Sequence, residues 1–182
     1  MSKTFDFEKI IQSINKQEPA PLHLWHPELS GDIDISIDRQ GVWRHCGDEF
    51  TRVQIPALFS RILCREADEY FLKTPLEKWR IQVEDVPFYF IHSHWENTAS
   101  QPRLKLISNT QEQVILDSQH PLRVEVNPKT QEPSPYIKVR ASMEGKLSRS
   151  LYYALVNVAD VDEQQQKIYL RSDGQNFLLG TY

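Results

Sequence analysis

Apolar residues recur along this chain with two different periods. Phe7, Ile10, Ile11 and Ile14 are spaced as one face of a helix. Thr4 stands where a cap is needed, Asp6 and Glu8 suit the positive end and Lys16 the negative end, and Pro19-Ala20-Pro21 stops the helix. The period then falls to two. Ile33, Ile35 and Ile37 point one way and Asp34, Ser36 and Asp38 the other, which predicts a half-buried strand. Arg39-Gln40-Gly41 turns the chain into a partner strand, Val42 to His45, and Gly47 closes the hairpin. Helical spacing returns between about Thr51 and Leu63 through Ile55, Leu58, Phe59, Ile62 and Leu63, with Pro56 in the first turn.

Strands follow at Tyr70-Phe71-Leu72 and from Trp79 to Val83, separated by Thr74-Pro75, and Val86-Pro87 bends the chain before Phe88 to Ile91. Leu104 to Ile107 and Val114 to Leu116 form a hairpin. Leu122 to Val126 alternates again, Asn127 to Pro135 is a long exposed turn, and Tyr136 to Arg140 returns. A helix runs from about Ser148 to Val156. Closing strands lie at Lys167 to Arg171 and Phe177 to Leu179, around Asp173-Gly174.

The pattern repeats. Phe50-Thr51-Arg52 aligns with Leu147-Ser148-Arg149, Ala57-Leu58 with Ala154-Leu155, and Tyr70 to Thr74 with Ile168 to Ser172. The shared unit is hairpin, helix, strand, so the sequence predicts an internal duplication. The fold class expected is α+β with two related lobes. The expected segments are an N-terminal helix over 1–18, an α+β lobe over 19–78 and a β-rich lobe with one helix over 79–182. Two such lobes would create a cleft, a favoured place for a ligand.

Composition narrows the partners. Hydrophobic residues at 40% provide for a packed core, and 21 Lys plus Arg against 25 Asp plus Glu leave a net charge of -4. That balance argues against nucleic-acid polymers, which demand a concentrated basic face. No apolar run reaches the ~18 residues of a membrane helix, and the first residues lack the apolar centre of a secretion signal. Two cysteines, Cys46 and Cys64, suit a reducing compartment, which points to the cytoplasm.

Candidate chemistry is sparse. Arg52 and Arg149, near the starts of the two helices, are candidate anion contacts, and surface carboxylates are the competing partners for both. Lys73, next to Thr74, and Arg171 hold equivalent places in the two halves and are candidates for the same ligand. Trp43 and His45 would meet a flat group, with burial in the core as the alternative for Trp43. Glu84 beside Asp85 resembles a carboxylate pair, but neighbours in sequence do not flank a substrate. His92 and His94 share a face if their strand continues, and His120 or Asp85 would have to complete a metal site. Asp32, Asp34, Ser36 and Asp38 match alternate calcium-loop positions without the turn glycine. Cys46 follows His45 on a strand, where neighbours face opposite sides, so the two are not read as nucleophile and base.

Gly31-Asp32-Ile33, Gly41-Val42-Trp43, Gly47, Arg52, Tyr70, Thr74-Pro75-Leu76-Glu77-Lys78 and Glu84-Asp85-Val86-Pro87-Phe88 occur here in order. This series resembles an uncharacterised proteobacterial family, the domain of unknown function numbered twelve-eighty-five. The resemblance implies a duplicated core, a C-terminal half loosely similar to pleckstrin-homology domains, and a ligand site between the halves. It also implies a nucleotide-like ligand and a role in signal transduction. Asp48-Glu49-Phe50 is more acidic than that pattern leads one to expect, and Glu49 facing the cleft would oppose a phosphate. The reading is a non-enzymatic, cytoplasmic binding or sensing protein for a small anionic, nucleotide-like ligand, with no cofactor. The alternatives are a protein-interaction adaptor using the C-terminal lobe, and a metal hydrolase using His92 and His94.

Overall fold

A computed structural model describes residues 5–14, 20–97 and 101–181, with Lys9 and Ser13 by backbone alone. The chain divides into two compact units, Met1–Pro87 and Phe88–Tyr182.

The first unit begins with helix α1 (Phe7–Ile14) and a 3-10 turn (Leu22–Leu24), then β1 (Leu29–Ile37), β2 (Trp43–His45) and β3 (Asp48–Glu49). Helix α2 (Gln54–Arg61) leads into β4 (Leu63–Glu66), β5 (Glu69–Lys73) and β6 (Lys78–Val83). These strands form one sheet in the order β3-β2-β1-β6-β5-β4, antiparallel except where β1 runs parallel to β6. The alternation read in β1 is real: Ile35 and Ile37 are wholly buried while Asp32 and Asp34 are exposed. Both helices cover the buried face. Phe59 of α2 meets the rings of Trp43, Phe50 and Phe7, and Phe5 bridges Phe59 to Trp79. Ile10 and Ile14 bury the apolar stripe of α1. Each fully buried side chain of this kind contributes ~1.5–3 kcal/mol, so the α1 stripe belongs to this core. Thr4, Lys16 and Pro19, expected at the ends of α1, lie outside the described residues.

The second unit contains β7 (Phe88–Asn97), β8 (Pro102–Ser108), β9 (Gln113–Ile115), β10 (Leu122–Val126), β11 (Pro133–Arg140) and β12 (Met143–Leu147). Helix α3 (Arg149–Val156) and a meander of β13 (Asp160–Asp162), β14 (Lys167–Ser172) and β15 (Gln175–Thr181) complete it. One sheet is ordered β10-β11-β12-β7-β8-β9, with β12 parallel to β7, and the meander forms a second. Buried Ser172 ties the two together: its hydroxyl accepts from the Leu104 N–H at 2.9 Å and donates to the Leu116 carbonyl at 2.7 Å. The Tyr152 hydroxyl donates to the Leu179 carbonyl at 2.7 Å and pins α3 to β15. The sheets curl into a half-barrel of pleckstrin-homology-like character. In both units a hairpin enters the helix and an antiparallel meander leaves it, so the α+β class with two related, sheet-rich lobes holds.

Several boundaries move. The division expected after residue 78 would cut β6 at its first residue. That strand is hydrogen-bonded between β1 and β5, so the unit runs on to Pro87. The N-terminal helix is likewise part of the first unit rather than a separate segment. Helix α2 is shorter than its apolar spacing suggests, because Leu63 already belongs to β4. Gly47 does not close the hairpin but turns it into β3. The long turn before Tyr136 is shortened, since Pro133 and Pro135 pair opposite Val126 and Val124 of β10.

Candidate functional site

The residues singled out in the first unit fall in four places. Trp43 is 2% exposed and packs on Phe59, which makes it part of the core. Its indole N–H has no hydrogen-bond partner among the described residues. His45 is held between rings, 4.7 Å from Phe7 and stacked at 6.2 Å on Phe50. The following residue corrects the sequence reading. Cys46 and Gly47 have φ of 51° and 84°, a two-residue turn of the type that matches strand twist. That left-handed backbone swings the Cys46 sulfur back to 3.5 Å from His45 Nε2, so the two side chains do not diverge.

Lys73 and Thr74 sit at the end of β5. Lys73 is 9% exposed and its Nζ donates to Glu66 Oε1 at 3.3 Å, while Lys78 donates to Oε2 at 2.7 Å. The hydrogen bond from Lys78, with that from Lys73, holds the Glu66 carboxyl below its usual range despite partial desolvation. The Thr74 hydroxyl accepts from the N–H groups of Glu77 at 3.1 Å and Leu76 at 3.4 Å. Buried Glu77 accepts from the Trp79 indole at 3.2 Å. The Thr-Pro-Leu-Glu run therefore builds a turn. Arg52 is exposed and stands before α2, outside its first turn, whereas Arg149 is the first residue of α3. The alignment that equates them is not reproduced at the helix starts. Glu84 is exposed, 3.9 Å from Arg39.

In the second unit Arg149 pairs with Glu132 at 3.0 Å and lies over the Tyr153 ring, so the competing partner is a surface carboxylate. Arg171 is exposed on β14. Strand β7 does continue through His92 and His94, both exposed on one face, with Lys105 across from His94. His120 is engaged with Asp117 at 3.0 Å. Among the described residues no three His, Cys, Asp or Glu side chains are grouped to hold a metal.

The second unit contains a concavity that none of these residues lines. It has a volume of about 260 Å³ at the end of the β10-β11-β12 ladder. Pro121, Leu122, Ala141 and Met143 supply its apolar wall, and Arg123, Lys138 and Glu144 its charged one. Lys138 and Glu144 are directly opposed across β11 and β12. Arg123 reaches over Tyr136, 4.5 Å from that ring, to grip Glu144. Its Nε donates to Oε1 at 2.8 Å and its Nη2 to Oε2 at 2.6 Å, while Nη1 donates to Glu125. These bonds, Glu144 foremost, raise the Arg123 pKa further above its ordinary value. Lys138 is exposed and makes no ion pair among the described residues. Ala141, at φ 47°, forms the β11–β12 turn at the rim. The alternation of β10 put Arg123 on the polar face. Its partner Glu144 lies on a strand that the sequence reading did not identify.

Comparison with known proteins adds a family. Residues 20–86 match the model described as "Domain of unknown function (DUF1285), N-terminal domain", and residues 87–179 that of the "Protein of unknown function (DUF1285), C-terminal domain". A crystal structure of a DUF1285 family protein from Silicibacter pomeroyi DSS-3 is similar, with 32% identity and a TM-score of 0.85 over 98% of this chain and 97% of that one. A second, from Shewanella baltica OS155, has 28% identity and a TM-score of 0.54 over 69% of this chain and 91% of that one. None of the curated proteins matches the chain.

Proposed function

The chain belongs to the DUF1285 family, and from its C-terminal concavity we propose that it binds a small anionic molecule without transforming it, as a sensor would. One observation carries this: Lys138, opposite Glu144 but making no ion pair among the described residues, stands beside an apolar-walled space of about 260 Å³. Pockets for drug-sized ligands run to ~300–1,000 Å³, so this one suits something smaller than a nucleotide. The two free cysteines support a reducing, cytoplasmic setting. No helix among the described residues is long and apolar enough to cross a membrane.

A thermal-shift screen of organic and inorganic anions tests the reading. A ligand at 100-fold excess over Kd adds ~2.7 kcal/mol, roughly 5–10 °C in Tm for a chain of this length. The expected result is a shift that Lys138→Gln reduces; a flat screen at millimolar concentrations refutes it. The interaction-adaptor reading has its own support in β7, where Ile91 to His94 are all exposed and β12 pairs only with Phe88 to Phe90. An extended peptide adding to that edge would protect amides of β7 from exchange.

A further inference from the structure

The same concavity restricts the charge and shape of what it holds. Resting on the binding reading above, we propose that its ligand is an amphipathic monocarboxylic acid, with the carboxylate on Lys138 and a short hydrocarbon chain or ring against Leu122, Ala141 and Met143.

The charge argument comes from Arg123. A guanidinium offers its fork to a phosphate or a dicarboxylate only if the fork is vacant. Here all three guanidinium nitrogens are engaged: Nε and Nη2 by the two oxygens of Glu144, and Nη1 by Glu125. Two carboxylates on one guanidinium leave a surplus negative charge at that wall, which the Lys138 ammonium across the ladder from Glu144 offsets, so the site tolerates at most one further negative charge. Glu144, itself part of the lining, repels a second negative charge on the ligand. Lys138 is therefore the cation left for a ligand, and one ammonium matches one carboxylate.

The size argument comes from volume. At about 260 Å³ the space falls just below the ~300–1,000 Å³ of pockets for drug-sized ligands, which limits its occupant to a small acid. Four of the lining side chains are apolar, which leaves most of that space for hydrocarbon. Octanoate and 3-phenylpropionate have this size and charge; inorganic phosphate and adenosine monophosphate do not.

Calorimetry on the full chain tests the inference, with octanoate, 1-octanol, inorganic phosphate and adenosine monophosphate as probes. Octanoate should bind, and affinity should rise about fourfold per methylene up to that length and then level off. Octanol should bind about fivefold more weakly than octanoate, and Lys138→Gln should weaken octanoate by the same factor, the size of a partly exposed charge pair. Lys138→Glu should remove octanoate binding, and because it sets a second carboxylate directly opposite Glu144 it should lower the unfolding midpoint slightly, whereas Lys138→Gln should not. Phosphate or the nucleotide binding in place of octanoate overturns the monocarboxylate inference but leaves an anion-binding protein. Octanoate binding that is indifferent to Lys138→Glu overturns it by locating the acid elsewhere. If no probe binds, the inference and the binding reading fail together.

Discussion

Cys46 and Cys64 are the same residue type with opposite fates. Cys46 stands exposed on the β2–β3 turn, while Cys64 is 8% exposed in β4. A thiol-specific disulfide reagent should therefore modify one equivalent rapidly in the native protein, assigned to Cys46 by peptide mapping, and Cys64 only after denaturation. Two fast equivalents would contradict the burial. The sulfur's return toward His45 was not readable from residue order, since it depends on a left-handed φ that L-residues adopt chiefly in two-residue turns. Gly145 is the opposite case, where the backbone is ordinary and the constraint is space. A Cβ there would lie 2.4 Å from the Phe90 ring and 2.9 Å from Phe88 Cβ. Phe88 and Phe90 are fully buried, so neither can swing out. Gly145→Ala should cost about 1–3 kcal/mol, measured by urea unfolding, in line with other overpacked cores.

At the scale of elements, α3 is anchored by its cap. The Ser148 hydroxyl accepts from the Leu151 N–H at 3.2 Å, and Ser148→Ala should lower stability by ~1 kcal/mol. Helix α2 has no such side-chain cap, so Thr51→Ala should change stability by much less in the same measurement. Across β4, β5 and β6, Glu66 serves two lysines, and the sign of its pH dependence follows. A carboxyl held below its ordinary value stabilises the fold fully above that value and loses the contribution as pH falls through the folded pKa. The stability gap between wild type and Glu66→Gln should be open at neutral pH and narrow between about pH 5 and about pH 3. A gap that widens in acid would mean Glu66 is not the titrating group. The sequence exposed β1 clearly, through three isoleucines at period two. It hid β4, because Ile62 and Leu63 continue helical spacing across the junction, and β12, because Gly145 sits at its centre and reads as a turn residue.

For the whole molecule, the duplication of hairpin, helix and strands was readable because periodicity is local, and the two units display it. The boundary was misplaced because β6 pairs with β1, residues distant in sequence, and no local pattern announces a parallel partner. The candidate pocket was invisible for the same reason: Arg123 and Glu144 meet only when β10, β11 and β12 are in register. Every strand of the second unit has its ladder partners within that unit, and its core includes Phe88, Phe90, Leu104 and Leu147. Residues 88–182 expressed alone should therefore give a dispersed amide spectrum and a cooperative unfolding transition. A collapsed spectrum would make the units interdependent.

The left-handed turns carry a consequence for how relatives of this chain diverge. Cys46, Ala67, Ala141 and Asp173 all occupy positive φ without being glycine. The strain of ~1–2 kcal/mol that an L-residue bears there exceeds the ~0.4–1 kcal/mol of chain entropy that it saves relative to glycine. Glycine is therefore modestly favoured at each, so across the lineage these positions should change to glycine, or to asparagine, more readily than to other residues. Gly145 has no such freedom. It should persist wherever Phe88 and Phe90 persist, and be replaced only alongside a smaller residue at one of them.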